Sequence, residues 1–381
     1  MESAPSYPSS APPPSSDGSF LAAALSTHVV KVYARGKGGS VGALLELTGH
    51  GGPITDAHFP LPEEPALVLT SSEDGTVRLW DCRAPLASRE AHKFTAHFAK
   101  TFATATMGGG GDHLVAAGSG AQIAFWDRRT GAGMEVFEEA HSEDVTRLRF
   151  QPGRRSRLFT ASVDGLACVF DCSGAPSDLN DEDGLLAVMA TGSAIVEMGF
   201  CAAPGGSASD VLWALTGNEE AWMFDASRGE ALGTQLAHVP DTRAAAARAA
   251  TAAGCGTGGL GEQVDYLVTC FADPASGAVL VAAGTQAGTI GVFPVMPGPG
   301  EPSAVGAGAA LGPPVMVLVG GHTDIVRAMA WSPGGGGSAS AHPVTGAEDS
   351  RVCVWGETAG AEGLAGGKAG WMGEAWRHSP Y

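Results

Sequence analysis

A short apolar-alternating segment that ends in an aromatic residue, usually followed by Asp, recurs along this chain and constrains its fold more than any other feature. Its seven copies end at Ala34, Asp81, Asp127, Asp171, Asp225, Pro294 and Gly356. Apolar alternation over so few residues is typical of a half-buried β-strand. The first three intervals between copies are 47, 46 and 44 residues. Such a period indicates a repeat architecture in which each unit is a small set of strands.

Further apolar strands precede most copies. Leu67–Ser72 and Leu158–Ser162 each lead through a tight turn into a copy, while Ile54–Phe59 and Val145–Phe150 begin those units. Three strands and a weaker outer one match the roughly 40–45 residues of a four-stranded propeller blade. One blade cannot bury both of its faces, so closure of a ring must supply the core. The sequence therefore predicts an all-β fold, a seven-bladed β-propeller over residues 19–377.

The late intervals are longer, at 54, 69 and 62 residues, and the last two of them each contain a low-complexity stretch. Residues 237–261 are rich in Ala and Gly, and residues 297–314 are rich in Gly, Pro and Ala. Both are predicted to be surface-loop inserts between blades. A short helix over Ala244–Ala252 is an alternative within the first insert.

The chain ends raise the question of how the ring closes. Residues 1–18 are rich in Pro and Ser and are predicted to be disordered, and residues 378–381 are predicted to form a tail. Because proline spoils most of the N-terminal segment as a strand, Trp371–Arg377 is expected to supply a closing strand.

The unit Gly49–Asp81 carries Gly-His at its start, Ser-Ser-Glu-Asp-Gly at its turn and Trp-Asp at its end. In these features the chain resembles the WD-repeat family of β-propellers. The resemblance implies buried hydrogen-bonded tetrads of His, Thr, Asp and Trp in the second and seventh blades, and in the fourth with Phe in place of Trp. The residues are His50, Thr70, Asp74 and Trp80; His141, Thr160, Asp164 and Phe170; and His322, Thr345, Asp349 and Trp355. Such a network is favourable only when all its members are satisfied.

Three blades depart from this pattern. Gly120, Asn218 and Ala287 stand where Asp is expected in the third, fifth and sixth blades, so these blades must be held mainly by apolar packing. With this combination of intact and degenerate blades, the stretch Ala140–Phe200 resembles the WD repeat-containing protein 89 branch of the family. That resemblance identifies a related branch of the family but indicates no mechanism.

Two Trp-Asp-x-Arg motifs suggest a specific partner. They comprise Trp80, Asp81 and Arg83, and Trp126, Asp127 and Arg129. In propellers that are substrate receptors of cullin-4 ubiquitin ligases, this motif docks the ligase adaptor, so the resemblance offers receptor function as an alternative to a passive scaffold. Arginine presents a planar, bidentate donor to acidic partners. The alternative interpretation is that each Arg pairs locally.

Several patterns that could carry chemistry do not meet its requirements. Gly254, Gly256 and Gly259 match G-x-G-x-x-G, but no strand precedes them and no helix follows, as nucleotide binding requires. The acidic run from Asp178 to Asp183 lacks the Gly and Glu of a calcium loop and is interpreted as a solvated loop with weak affinity for a basic partner. No nucleophile motif is present. The sequence thus predicts neither catalytic, cofactor nor metal sites, and we expect a non-enzyme.

Charge and cysteine content restrict partners and location. The net charge is −18, which disfavours nucleic acid, and the one dense basic patch, Gly153–Arg157, is expected to be a solvated loop tip. Seven cysteines without paired C-x-x-C spacing indicate a reducing compartment. Without a long apolar run, membrane insertion is not expected. The sequence predicts an intracellular scaffold, cytoplasmic or nuclear, that binds other proteins.

Overall fold

The computed structural model describes residues 19–35, 41–174, 179–201, 210–227, 229–255, 260–261, 263–273, 277–296, 308–332, 342–357 and 370–377. The predicted disordered segment 1–18, the tail 378–381 and most of the second insert lie outside these residues. The described residues form seven blades of antiparallel strands, which confirms the predicted seven-bladed β-propeller. None of the helices among them is both long and apolar enough to cross a membrane.

The strands follow one another blade by blade along the chain. The first two blades contain β1 (Phe20–Ala24), β2 (Val30–Arg35) and β3 (Val41–Leu47), then β4 (Ile54–His58), β5 (Leu67–Ser72), β6 (Val77–Asp81) and β7 (Glu90–Phe94). The third and fourth contain β8 (Thr104–Gly108), β9 (Leu114–Ser119), β10 (Gln122–Asp127), β11 (Gly133–Phe137), β12 (Val145–Gln151), β13 (Arg154–Ser162), β14 (Leu166–Asp171) and β15 (Leu185–Ala190).

The remaining three blades follow the same order, with one helix between the fifth and sixth. They contain β16 (Ile195–Cys201), β17 (Val211–Thr216), β18 (Ala221–Asp225), β19 (Gln235–Val239), α1 (Thr242–Ala252), β20 (Tyr266–Ala272), β21 (Val279–Gly284), β22 (Ile290–Met296), β23 (Ala310–Leu311), β24 (Met316–Leu318), β25 (Val326–Ser332), β26 (His342–Ala347), β27 (Arg351–Glu357) and β28 (Gly370–Arg377).

The strands β4, β8, β12, β16, β20 and β25, each the first of its blade, lie innermost, since they contact one another around the ring. Five of them share an irregularity, because the pairing of each with the next strand skips one residue near its start, as between Ile54 and Asp56 and between Val145 and Arg147. A bulge of this kind redirects the side chains that follow it. It sets the positions of the charged inner-strand residues Asp56, Arg147 and Glu197.

The core consists of apolar clusters between successive blades. Leu69, Leu79 and Trp126, for example, join the second and third blades. Between the last blade and the first, Leu21 and Tyr33 pack with Val344. Apolar contact between the two ends of the chain therefore closes the ring.

The C-terminal strand β28 lies between the sixth and seventh blades, away from the junction of the two chain ends. Residues Arg351 to Glu357 of β27 pair with β28, which makes β28 the outer strand of the seventh blade. It also pairs in parallel with β24, through Val317 with Gly370 and Leu318 with Trp371. The expected strand is present, and it ties the sixth blade to the seventh.

Part of the insert predicted as a surface loop at residues 237–261 is ordered secondary structure. It contains the end of β19 and the helix α1, whose N-cap Asp241 accepts a hydrogen bond from the N–H of Ala244. Ala246 and Ala250 are fully buried and pack with Phe293 of the sixth blade. Small side chains at i and i+4 let the helix lie close to the blade, which an amphipathicity argument based on large apolar residues overlooks.

Candidate functional site

The second blade contains a continuous hydrogen-bond chain from its rim into its core. Nδ1 of His50 lies 3.0 Å from the carboxylate of Asp74, and Nε2 lies 2.7 Å from the hydroxyl of Thr70. The indole of Trp80 donates to the same hydroxyl at 2.9 Å. The structure thus brings together all four residues predicted for this blade.

The proton positions follow from the acceptors. Burial lowers the pKa of His50, so its ring is neutral at pH 7. Burial alone would raise the pKa of Asp74, but hydrogen bonds from Thr76, Gly51 N–H and His50 outweigh it and hold the pKa well below its usual range. The carboxylate only accepts, so Nδ1 carries the proton and Nε2 accepts from Thr70. Every member is then satisfied.

The fourth and seventh blades repeat this arrangement. In the seventh, His322 contacts Asp349 at 3.2 Å and Thr345 at 2.7 Å, and Trp355 donates to Thr345 at 2.7 Å. In the fourth, the same distances are 3.0 Å for His141 to Asp164 and 2.7 Å for His141 to Thr160. Phe170 is buried in the apolar cluster between the third and fourth blades and contributes no donor. All three networks are internal to the blades and fix the loops above them.

The third blade shows how the pattern changes when Asp is missing. Gly120 occupies that turn with φ of +57°, and the indole of Trp126 donates to the carbonyl of Thr95 at 3.2 Å. Packed rings make the connection to the fourth blade, with the centroids of Phe137 and Phe170 5.2 Å apart. His97, which occupies the usual histidine position, is exposed and contacts Phe98 edge-on.

Both Trp-Asp-x-Arg motifs place their tryptophans in the core and their arginines on the surface. Arg83 donates twice to Asp81 at 2.9 Å, and Arg129 donates to Asp127 at 2.8 and 3.2 Å. These arginine side chains are 63% and 60% exposed. Each motif therefore presents an accessible guanidinium whose fork already holds its own aspartate.

A chain of ion pairs along the inner strands was not predicted. Arg149 of β12 donates to both carboxylate oxygens of Asp56 at 2.7 and 3.1 Å, and Thr104 donates to Asp56 at 2.8 Å. Arg147 pairs with Glu197 at 2.8 Å. These contacts join the inner strands of the second to fifth blades. Asp56 and Arg149 are 93 residues apart, so no local pattern could have identified the pair.

His58 lies beside this chain. Burial lowers its pKa to about 4, and the positive charge of Arg149 acts in the same direction. Its Nδ1 has no hydrogen-bond partner among the described residues. A neutral, buried imidazole there makes the folded state sensitive to acid.

The expectation that Gly153–Arg157 is a solvated loop tip is wrong. The strand β13 begins at Arg154, which pairs with Asp210 at 3.1 Å. Arg155 pairs with both Glu63 and Asp112, which lie in loops of the second and third blades. The basic side chains therefore tie the fourth blade to its neighbours, because acidic partners distant in sequence converge on this hairpin.

Other sequence features are placed as follows. The described residues contain no group of three or more His, Cys, Asp or Glu side chains arranged to hold a metal ion. Gly256, Gly259 and Asp178 lie outside the described residues. All seven cysteines are free and buried, and burial raises the pKa of Cys168 to about 12.

Two open grooves lie on the outer parts of the second to fourth blades. One, of about 700 Å³, follows β11. The other, of about 550 Å³, is lined by Arg83, Arg128, Arg129, His92 and His113. The two Trp-Asp-x-Arg motifs of neighbouring blades thus meet at one groove.

Comparisons with known proteins agree with this geometry. A family model described as WD domain, G-beta repeat matches residues 43–81 and 312–356, which include the first three strands of the second and seventh blades. WD repeat-containing protein GTS1 of Arabidopsis thaliana is 32% identical over 345 residues, covering 90% of this chain and 79% of that protein. The WD repeat-containing protein 89 homolog of Dictyostelium discoideum is 26% identical over 336 residues, covering 88% and 79%.

Among solved structures, a chain of the crystal structure of the mitotic checkpoint complex matches with a TM-score of 0.56. It is 17% identical, and the match covers 89% of this chain and 84% of that chain. At this identity the likeness concerns the fold alone.

Proposed function

The chain belongs to the WD-repeat family, as its motifs predicted, and from this premise we propose that it is a non-catalytic scaffold that binds other proteins. WD-repeat propellers generally bind proteins on loops and grooves that a rigid ring holds in place. The observation that carries the proposal is the pair of open grooves beside blades whose polar tetrads are satisfied internally. The buried titratable side chains of the tetrads, such as His50, stabilise the ring. Exposed charged side chains of the second and third blades line the two grooves.

Affinity purification of the tagged full chain from its native cell, followed by mass spectrometry, tests this proposal. We expect a small set of proteins that is enriched over an untagged control and survives washing at moderate salt. A chain that enriches no protein, or that turns over a substrate in its purified form, would contradict the scaffold.

A receptor for a cullin-4 ubiquitin ligase is the second candidate. It is supported by the exposure of Arg83 and Arg129 on one groove, where each guanidinium pairs with its own aspartate yet remains more than half exposed to an acidic adaptor surface. Charge reversal at both, R83E/R129E, should abolish co-purification of the adaptor. Arg128→Glu is the matched control, because Arg128 lines the same groove but its side chain is only 21% exposed. If the adaptor still co-purifies with the folded double variant, the receptor proposal fails.

The location that goes with this proposal is intracellular, in the cytoplasm or the nucleus. Seven free, buried thiols support it, since thiols stay reduced there. Fractionation of cells expressing the tagged chain tests the assignment, and recovery in the secreted fraction would overturn it.

A further inference from the structure

The groove along β11, here called the acidic groove, combines an apolar floor with a rim of carboxylates. Its volume is about 700 Å³, and its walls come from the segment after β7, from β10 and β11, and from the loop before β15. The floor contains Phe98, Trp126, Met134 and Val136. The rim carries Glu135, Glu138, Glu139, Asp181 and Glu182. We propose that the acidic groove binds a basic, extended segment of a partner protein.

No described cation neutralises the charges of the rim, although Asp181 accepts a hydrogen bond from the N–H of Glu139 at 3.1 Å and Glu135 accepts one from the N–H of Val136 at 3.2 Å. None of its five carboxylates forms an ion pair with a described residue. The only other titratable side chain lining the groove is that of His97. Carboxylates held close together repel one another, and a cation brought by a ligand removes that repulsion.

The arginines of the chain are used elsewhere. Ten of them form ion pairs among the described residues: Arg78, Arg83, Arg128, Arg129, Arg147, Arg149, Arg154, Arg155, Arg327 and Arg351. With 22 basic against 40 acidic residues, the chain pairs its cations at blade junctions and turns and leaves the acidic groove without them. The complementary charge must therefore come from the partner.

The shape of the groove selects an extended segment. The strand β11 is the outermost of the third blade and pairs only with β10 among the described strands. An edge strand offers unpaired backbone groups to an added strand, whose alternate side chains then face opposite sides. A segment that alternates basic and apolar residues would set its cations on the rim and its apolar side chains on the floor.

Exposed apolar residues continue this surface beyond the groove. The loop that contributes Asp181 and Glu182 leads directly into β15, where Leu185, Leu186 and Val188 are 42%, 45% and 50% exposed. Val188 pairs with Cys168, which belongs to the cluster facing the third blade. These exposed side chains of β15 therefore face the third blade, along which the acidic groove runs, and they extend the apolar contact available to a bound segment.

The test uses the purified full chain and a defined probe, a fluorescein-labelled nine-residue peptide of alternating lysine and valine, followed by fluorescence anisotropy at low salt. The groove variant is E135Q/E138Q/E139Q. The matched control is E143Q/D144N/E230Q, which removes three exposed carboxylates outside the acidic groove. Both variants reduce the net negative charge equally.

We expect the groove variant to weaken binding of the peptide about tenfold and the control to weaken it less than twofold, with unchanged melting curves for both. A peptide of alternating glutamate and valine should not bind. Equal weakening by the two variants would mean that only the overall negative field attracts the peptide, and would overturn the proposal. Absence of binding to the unmodified chain, or an unaffected groove variant, would overturn it too.

This inference rests on the proposed scaffold function and names one class of partner for it. The two can fail separately. If affinity purification enriches partners while the peptide binds the groove variant as tightly as the unmodified chain, the proposed scaffold function is retained, and the acidic groove is not its site for a basic segment.

Discussion

The hydroxyl of Thr70 is the junction of the tetrad in the second blade, and Thr70→Val tests how the network stabilises the fold. Valine has nearly the same shape, but it can neither donate to His50 Nε2 nor accept from the indole of Trp80. Two buried polar groups lose their partner, at about 1–3 kcal/mol each. We therefore expect a loss of about 4 kcal/mol in the free energy of unfolding.

The fourth blade supplies the matched control. Thr160 contacts His141 at 2.7 Å, but Phe170 stands where the indole would be. Thr160→Val therefore leaves one polar group unsatisfied, with an expected cost of about 2 kcal/mol. Equilibrium unfolding in urea, read from the midpoint at constant m-value, measures both.

A double-mutant cycle isolates the contribution of the indole. Trp80→Phe gives the second blade the composition of the fourth, so Thr70→Val in that background should cost about 2 kcal/mol instead of about 4. If Thr70→Val costs the same in both backgrounds, the hydroxyl does not accept from Trp80 and the inferred direction of the chain is refuted. A cost for Thr160→Val that matches or exceeds that of Thr70→Val would refute it as well.

Three further predictions concern other parts of the ring. Arg149→Met should lower the free energy of unfolding by about 3–5 kcal/mol, measured by urea unfolding, because it leaves the carboxylate of Asp56 buried and unpaired. Adding Asp56→Asn to this variant should recover part of the loss. Strictly additive effects of the two substitutions would contradict the ion pair. The pKa of His58 in the folded state is about 4, so the unfolded state binds this proton first as pH falls from 6.5 towards 4, and the free energy of unfolding should decrease by up to about 3 kcal/mol. His58→Leu should flatten the slope of the free energy of unfolding against pH. An unchanged slope would exclude His58 as its source. Deletion of residues 370–381 should lower the melting temperature by several degrees, because β27 loses its outer partner, and an identical melting curve would rule this out.

The sequence determined those features whose signal is local. Each predicted tetrad lies within one repeat, where residue type and spacing suffice to identify it. The recurring segments locate the third strand of the second to seventh blades and β2 of the first. The strand Thr104–Gly108 gives only a weak signal in the sequence, because small Thr, Ala and Gly residues surround a single large apolar residue, Met107. The helix α1 was left as an alternative because its buried side is made of alanine.

Only the tertiary structure decided which distant residues meet. Asp56 and Arg149 pair across 93 residues, and Leu21 closes the ring against Val344. Two arginines of the basic patch form ion pairs with acidic residues of three other blades. A segment that resembles a binding site in the sequence therefore stabilises the fold instead. The carboxylates along β11 find none among the described residues. Local sequence specifies strands and turns through period and residue type, whereas the compensation of a charge depends on neighbours that are brought close only when the blades pack.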